Sequence, residues 1–499
     1  MPQRRWQTRR AFLAGATVFA ASACSFDSAG TGPANPVRPT IASTLITDNP
    51  HNALSAVVTF KTHGADSARL LYQALSGVAR LNPEAERATP FYPIRGDSGA
   101  ILALGLRENT SYNVVLQVRG GGADTTATLV FRPGPIPATL AGVQLDVTGP
   151  ATSGYTLTDF TSGSSAYIVA FDEAGRLCWY REFAAQPGEV AIDAEQQANG
   201  NYILFVGVST GWQPTPGRFY EVNPAGDSVQ TYAATAPYYT DPHELLLDYK
   251  GETVERFHIL GYEFRHVDLT AIGGKPNQLV AGHLILRQSS SGSIEYLWNA
   301  WDHFTIADWI FIQPGLAQMA SIDFDHPNSL ARDTDGNYVV SFASLGEITK
   351  IDAVTGAILW RLGGRNNQFT FIGDPLVGFG IQHHVRVLPN GNLLFIDNGV
   401  RHVPPESRAV EYKLDLAAHT ATLVWQYRHS PPLFAPFAGS AQRLKNGNTF
   451  VAFGAAAQVT EVTANGEVMW EAQLTNNGMK VPFFYRARRL ASLYRFEER

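Results

Sequence analysis

Short runs in which apolar and polar residues alternate, each broken by a turn signal, fill almost the whole chain, and few stretches carry a helical period. That alternation places one face of each run in a core and predicts strands. Over residues 39–135 the runs are Ala56–Phe60, Ser67–Tyr72, Ala100–Leu104, Tyr112–Val118 and Ala127–Phe131. They predict a small β-sandwich, ended by Pro133-Gly134-Pro135-Ile136-Pro137, because successive prolines cannot continue a strand ladder. From residue 138 to 499 two elements recur. One is a hairpin signal, at Asn199-Gly200-Asn201, Lys250-Gly251-Glu252, Asp335-Gly336-Asn337, Asn390-Gly391-Asn392 and Asn446-Gly447-Asn448. The other is a turn followed by an apolar run closed by tryptophan, at Trp179, Trp298, Trp360, Trp425 and Trp470, with a weaker copy ending at Tyr232.

Successive hairpins lie roughly 50 to 85 residues apart, which suits propeller blades with loop insertions. Four strands per repeat and about six repeats predict an all-β chain, a six-bladed β-propeller preceded by the sandwich. In a propeller the first strand of every blade lines a central channel, so residues just before each glycine hairpin converge on one axis. The C-terminal run Phe483–Arg488 is expected to complete the blade that the segment after Pro137 begins. The stretch Gly105–Tyr112 is similar to the turn before a late strand of fibronectin type III domains, where a tyrosine hydroxyl bonds back to the backbone.

Composition agrees with this: 45% apolar, 16% charged, 45 Gly, 29 Pro and 11% aromatic residues describe a turn-rich globular chain of 499 residues. Residues 1–24 read as an export signal. Thr8-Arg9-Arg10-Ala11-Phe12-Leu13 resembles a twin-arginine signal, the apolar stretch Ala11–Ala23 is too short to span a bilayer, and Ala21-Ser22-Ala23-Cys24 resembles a lipobox with Cys24 as the lipidated residue. An ordinary secretory signal with an incidental cysteine is the alternative. Residues 25–38 form a Ser/Gly/Pro-rich tether. An exported, periplasmic or cell-envelope lipoprotein is therefore expected, touching the membrane only through its anchor. Loss of the four arginines in residues 1–23 takes the net charge from −6 to −10, which argues against nucleic acid as a partner. Two cysteines give no disulfide framework.

Aligning the repeats by their hairpins puts His243 (Asp241-Pro242-His243-Glu244), His326 and His383 or His384 at similar points, seven to ten residues before the hairpin glycine. Hairpin packing does not require histidine there. Three imidazoles meeting in a channel suit a metal site, acid/base chemistry or nucleophilic catalysis. Glu244, Asp323 and Asp325 keep the metal reading open. Any one of these histidines, taken alone, is better explained as capping a blade, and His303 and Asp308 are better explained as structural.

The runs HPNSLARDTDGNYVVSF, TKIDAVTGAILWRLGG, GIQHHVRVLPNGNLLFIDNG and YRARRLASLY, with DPHELLL upstream, resemble the arylsulfotransferase family of exported bacterial six-bladed propellers over roughly residues 140–494. The resemblance implies transfer of a sulfuryl group from a phenolic sulfate ester to a phenol. It implies a ping-pong route through a sulfated histidine, no cofactor, no metal and no 3′-phosphoadenosine 5′-phosphosulfate. His383 matches the nucleophile, His243 the first channel histidine and His326 the histidine of the His-x-Asn motif, whose Asn328 joins His384, Arg365 and Arg386 as sulfuryl-binding candidates. The family carries Ser-x-Arg on the following return strand, where this chain has Ser341-Phe342-Ala343. That departure motivates a second reading, a propeller that binds a ligand without turnover or with another specificity; a metal-dependent hydrolase is the third. If His383 faces the channel, simple strand alternation turns Arg386 away from it. The sequence leaves the oligomeric state open.

Overall fold

The computed structural model describes residues 38–75, 87–150, 154–208, 217–310 and 315–494. The export signal with Cys24, and residues 25–37 of the tether, lie outside these. Among the described residues regular structure consists of strands and short 3-10 turns, so the chain is all-β, with its strands in eight sheets. No described helix is long and apolar enough to cross a membrane.

Two sheets come first. Thr40–Asp48, Ala56–His63 and Ser98–Ala103 form one; Ser67–Ala74, Tyr112–Gly120 and Ala123–Phe131, edged by two short strands, form the other. Their alternating inward residues, among them Val58, Phe60, Leu70, Val114 and Leu116, share one core. The Arg107 backbone N–H donates to the Tyr112 hydroxyl at 3.1 Å, pinning the corner between strands.

Six further sheets follow, each built on four antiparallel strands. One edge of five of these sheets is formed by Val190–Gln196, Tyr239–Lys250, Pro327–Arg332, Gln382–Val387 and Ser440–Arg443, and Ala487–Leu490 takes the same edge in the remaining sheet. These strands pack against one another in turn. The hairpin glycines of the sequence pattern (Gly200, Gly251, Gly336, Gly391 and Gly447) sit between first and second strands with φ of 66° to 86°, a region a side chain disfavours. The tryptophans lie in the fourth strands. Four of their indole N–H groups reach turn carbonyls of the next sheet, among them Trp179 to Pro224, Trp298 to Gly356 and Trp425 to Ala464, each at 3.0 Å. Trp470 of the last sheet reaches Glu173 of the first at 3.3 Å. The two repeated sequence elements thus mark the two edges of most of these sheets, giving a propeller-like ring.

Closure differs in one respect from the sequence expectation. Ala487–Leu490 does pair with Tyr155–Ser162 of the first sheet. The segment just after Pro137 does not begin that sheet; Val143–Thr148 pairs instead with Val468–Asn476 of the last. Both ends are therefore sewn across the same seam, where Leu145, Phe171, Phe450 and Trp470 share a core. The first two sheets are tied to the same region through Tyr494, whose hydroxyl accepts from the Leu104 N–H at 2.8 Å and lies 2.8 Å from the Tyr72 hydroxyl.

Candidate functional site

Four of these edge strands break register at equivalent points: Ile192/Glu195, Thr240/Leu245, Pro327/Ser329 and His383/Arg386. A bulge adds a residue and re-aims the side chains around it. Backbone strain collects at the same places, with positive φ at Asp193 (61°), His326 (44°), Ile381 (65°), His384 (57°) and Ala438 (59°). Each such residue costs about 1–3 kcal/mol, a cost most often found where function holds the backbone. His243, His326, His383 and Tyr485 come together here. The His243 ring centroid is 4.8 Å from that of His326 and 5.5 Å from that of Tyr485, and His383 is 6.4 Å from Tyr485.

Each histidine has its own partner. His383 Nδ1 lies 2.6 Å from Asn398 Oδ1. The Asn398 amide nitrogen donates to the carbonyls of Ala435 (2.8 Å) and Ala438 (3.0 Å), so its oxygen must be the atom facing the ring. His383 therefore carries its proton on Nδ1 and its lone pair on Nε2. Burial pushes its pKa well below the usual histidine value against the Asn398 bond, and the charges of His326, His243 and Arg486 push the same way. His243 gives Nδ1 to Asp241 Oδ1 at 2.8 Å; burial lowers its pKa although Asp241 opposes this. His326 gives Nδ1 to Asp323, and there the balance reverses: burial acts against the charged ring, but the charge and hydrogen bond of Asp323 outweigh it and the pKa rises.

The other sequence candidates divide. His384, fully buried, turns its ring away, to the Ala441 N–H and the Arg488 guanidinium. The Asn328 side-chain Nδ2 donates to the Gln382 carbonyl at 2.6 Å and so supports the backbone before His383, while the Asn328 backbone carbonyl accepts from Arg486 at 2.7 Å and from the Tyr485 hydroxyl at 3.2 Å. Arg386 does not follow simple alternation, because the bulge between His383 and Arg386 resets it, and its guanidinium grips Glu244 at 2.9 and 3.1 Å. Arg365 sits on an exposed loop, bonded to the Trp309 carbonyl at 3.3 Å. An Arg365→Ala variant is expected to change stability by less than about 0.5 kcal/mol, as for other surface substitutions, and a denaturant melt checks this. Ala343 is buried, and its N–H donates to the His326 carbonyl at 2.9 Å, so a methyl group stands beside the cluster at that position.

Two participants escape sequence reasoning. Arg486, fully buried, reaches Asp193 (2.7 Å), Glu244 (3.2 Å) and the Asn328 carbonyl. With Arg386 and Arg488 it answers Asp193, Glu195 and Glu244, so the strands beneath the histidines meet in a charge-matched plug. The second is His283, in Gln278–Ser289, 2.6 Å from Asp325 and 3.3 Å from Asp241. His283, Asp323 and Asp325 bring donor atoms within 4.8 Å of one another, as do Asp193, Glu195 and Glu244. In both groups the close pairs are His–carboxylate or Arg–carboxylate contacts. The signals for these two were faint: Arg486 lies in the YRARRL run, and His283 in an unremarkable apolar strand.

Three clustered histidines, two paired with carboxylates and one with an amide oxygen that leaves Nε2 as its lone pair, form an arrangement that can serve nucleophilic or acid/base chemistry on a propeller-like frame. Residues 214–475, more than half of the chain, match the family described as arylsulfotransferase (ASST), and the chain belongs to that family. No curated protein matches it. Solved structures resembling it include a protein of unknown function from Bacteroides caccae (13% identity, TM-score 0.42, covering 68% of this chain and 100% of that one). A catalytically inactive virginiamycin B lyase from Staphylococcus aureus (9%, 0.32, 68% and 90%) and TolB from Acinetobacter baumannii (9%, 0.35, 75% and 79%) are two others.

Proposed function

We propose that the six sheets are the blades of a six-bladed propeller behind a fibronectin-III-like sandwich, and that the protein transfers a sulfuryl group between phenols through a sulfated His383, without a nucleotide donor. The observation that carries this reading is the Asn398 lock, which presents His383 Nε2 as a lone pair in a buried, strained setting. In the first half-reaction Nε2 attacks sulfur, the S–O bond to the aryl oxygen breaks, and that oxygen takes its electron pair and the His326 proton. In the second an acceptor phenol returns a proton to His326 while its oxygen attacks sulfur and frees His383. His243 accepts a hydrogen bond from the phenol. The protonated His326 supplies positive charge beside Ala343, where the family resemblance implies an arginine. We further propose export and lipidation at Cys24.

With phenyl sulfate, kcat/KM is expected to hold through neutral pH. It falls on the acid side as His383, held below its usual value, gains a proton, and on the alkaline side as His326, held above its usual value, loses one. Asp323→Asn should move the alkaline limb down by about one pH unit or more; an unmoved limb would remove His326 from the acid role. Turnover itself is tested with 4-nitrophenyl sulfate, with and without a phenol. Acceptor-dependent nitrophenolate release supports transfer. Release abolished by chelator would favour a metal-dependent hydrolase, and binding without release would favour the ligand-binding propeller that Ala343 suggests.

A further inference from the structure

His283 stands behind the catalytic histidines, two strands along in the same sheet as His243, with a side chain only 1% exposed. Nδ1 is 2.6 Å from Asp325 Oδ1, the backbone N–H donates to the other Asp325 oxygen at 3.2 Å, and Nε2 is 3.3 Å from Asp241 Oδ2. The second Asp241 oxygen receives both the ring and the backbone N–H of His243, at 2.8 and 2.9 Å. On the far side Asp323, whose carboxylate holds His326, comes within 3.8 Å of His283 Nδ1. One imidazole therefore sits between the aspartate that orients His243 and the pair that flanks His326. Asp241 and Asp325 are fully buried, and the partners the structure gives all three carboxylates in ion pairs are histidines.

We propose that His283 is a positioning residue, an imidazolium engaged on both ring nitrogens that fixes Asp241 and Asp325 and thereby sets the ring orientation and proton position of His243 and His326. The kinetic part of this rests on the transfer reaction proposed above; the protonation state of His283 does not. The groups that face it are Asp241, Asp323 and Asp325, the His243 and His326 rings beyond them, and the Tyr262 ring at 5.8 Å. Burial opposes charge on His283, yet Asp325 and Asp241 raise its pKa well above the usual value, in keeping with the geometry. A neutral ring has one N–H and leaves one carboxylate facing a lone pair, so two acceptors select the charged form. With His283 charged, Asp241 stays ionised and accepts the hydrogen bond of His243 Nδ1–H, which leaves the His243 lone pair on Nε2 for the phenol.

The test uses the full mature protein with 15N-labelled histidine, beside His283→Gln and His283→Phe. Imidazole 1H–15N spectra at pH 8 should show a histidine protonated on both nitrogens that is missing from both variants. His243 should change from the pure Nδ1–H form to a mixture of tautomers. Turnover of phenyl sulfate should drop roughly 10- to 100-fold in His283→Phe, the size usual for a residue that orients a catalytic ligand or base. KM should stay within about threefold, the pH limbs should shift, and His283→Gln, which keeps one donor, should fall between. A neutral His283 in the spectra, variants with unaltered kcat and pH profile, or a stoichiometric metal ion lost on His283→Gln would each overturn the proposal. Should the wild-type protein show no turnover, the transfer reading fails while the spectra still decide the state of His283.

Discussion

His383→Ala is expected to lower turnover of an aryl sulfate by at least ~10⁴-fold and to remove the covalent adduct, since losing a nucleophile leaves only binding and charge stabilisation behind. The wild-type protein, incubated with 4-nitrophenyl sulfate and no acceptor, should release a burst of nitrophenolate and carry one sulfuryl group on the Gln382-His383-His384 segment. Fragmentation should place it on His383. His384 is adjacent, but its ring is turned onto the Ala441 N–H and the Arg488 guanidinium, so no lone pair faces the cluster. Asn398→Leu separates presence of the ring from its tautomer. It removes the Oδ1 that holds the Nδ1 proton, so the lone pair can move to Nδ1, and the burst should slow by roughly 10- to 100-fold while KM changes little. A sulfuryl group on His384, or an undiminished burst in His383→Ala, would sink the assignment.

Much of this architecture was legible because it repeats. The glycine hairpins must appear wherever a first strand turns into a second, and the tryptophans wherever a fourth strand hands its indole N–H to the next turn, so both leave periodic marks. The convergence of His243, His326 and His383 followed from the same periodicity, because equivalent points of successive sheets face one axis. What escaped depends on breaks in that regularity. Arg386 was expected to turn away by alternation, and the bulge that follows His383 defeats that count. The segment after Pro137 was expected to start the first sheet, yet its strand Val143–Thr148 pairs with one more than 300 residues further on, beyond any local pattern. His283 lies on a strand whose alternation is entirely ordinary; only the folded register brings it between Asp241 and Asp325. Asn398 follows a strand end, a position that suits turn chemistry equally well, and only the folded Ala435 and Ala438 carbonyls fix its amide.

Arg486→Met should lower stability by about 3–5 kcal/mol, the range for removing one partner of a buried ion pair. Its guanidinium is fully buried and answers Asp193 and Glu244 together, while Nη2 donates to the Asn328 backbone carbonyl. Glu244 keeps Arg386 in the variant, so the exposed weakness is Asp193, which has no other cation within ion-pair distance among the described residues. Burial already raises the Asp193 pKa to about 7 against the pull of Arg486. Without the arginine it rises further. A carboxyl whose folded pKa exceeds its unfolded value binds protons more tightly when folded, so stability falls as pH climbs from the unfolded pKa toward the folded one. That fall extends to higher pH in the variant. The midpoint of thermal unfolding should therefore drop less at pH 5.5 than at pH 8, and Asp193→Asn should recover part of the loss at pH 8 when combined with Arg486→Met. Equal losses at both pH values, with no recovery in the double variant, would mean that Arg486 stabilises the ring by packing and its Asn328 bond, and that the charge in the plug carries no weight.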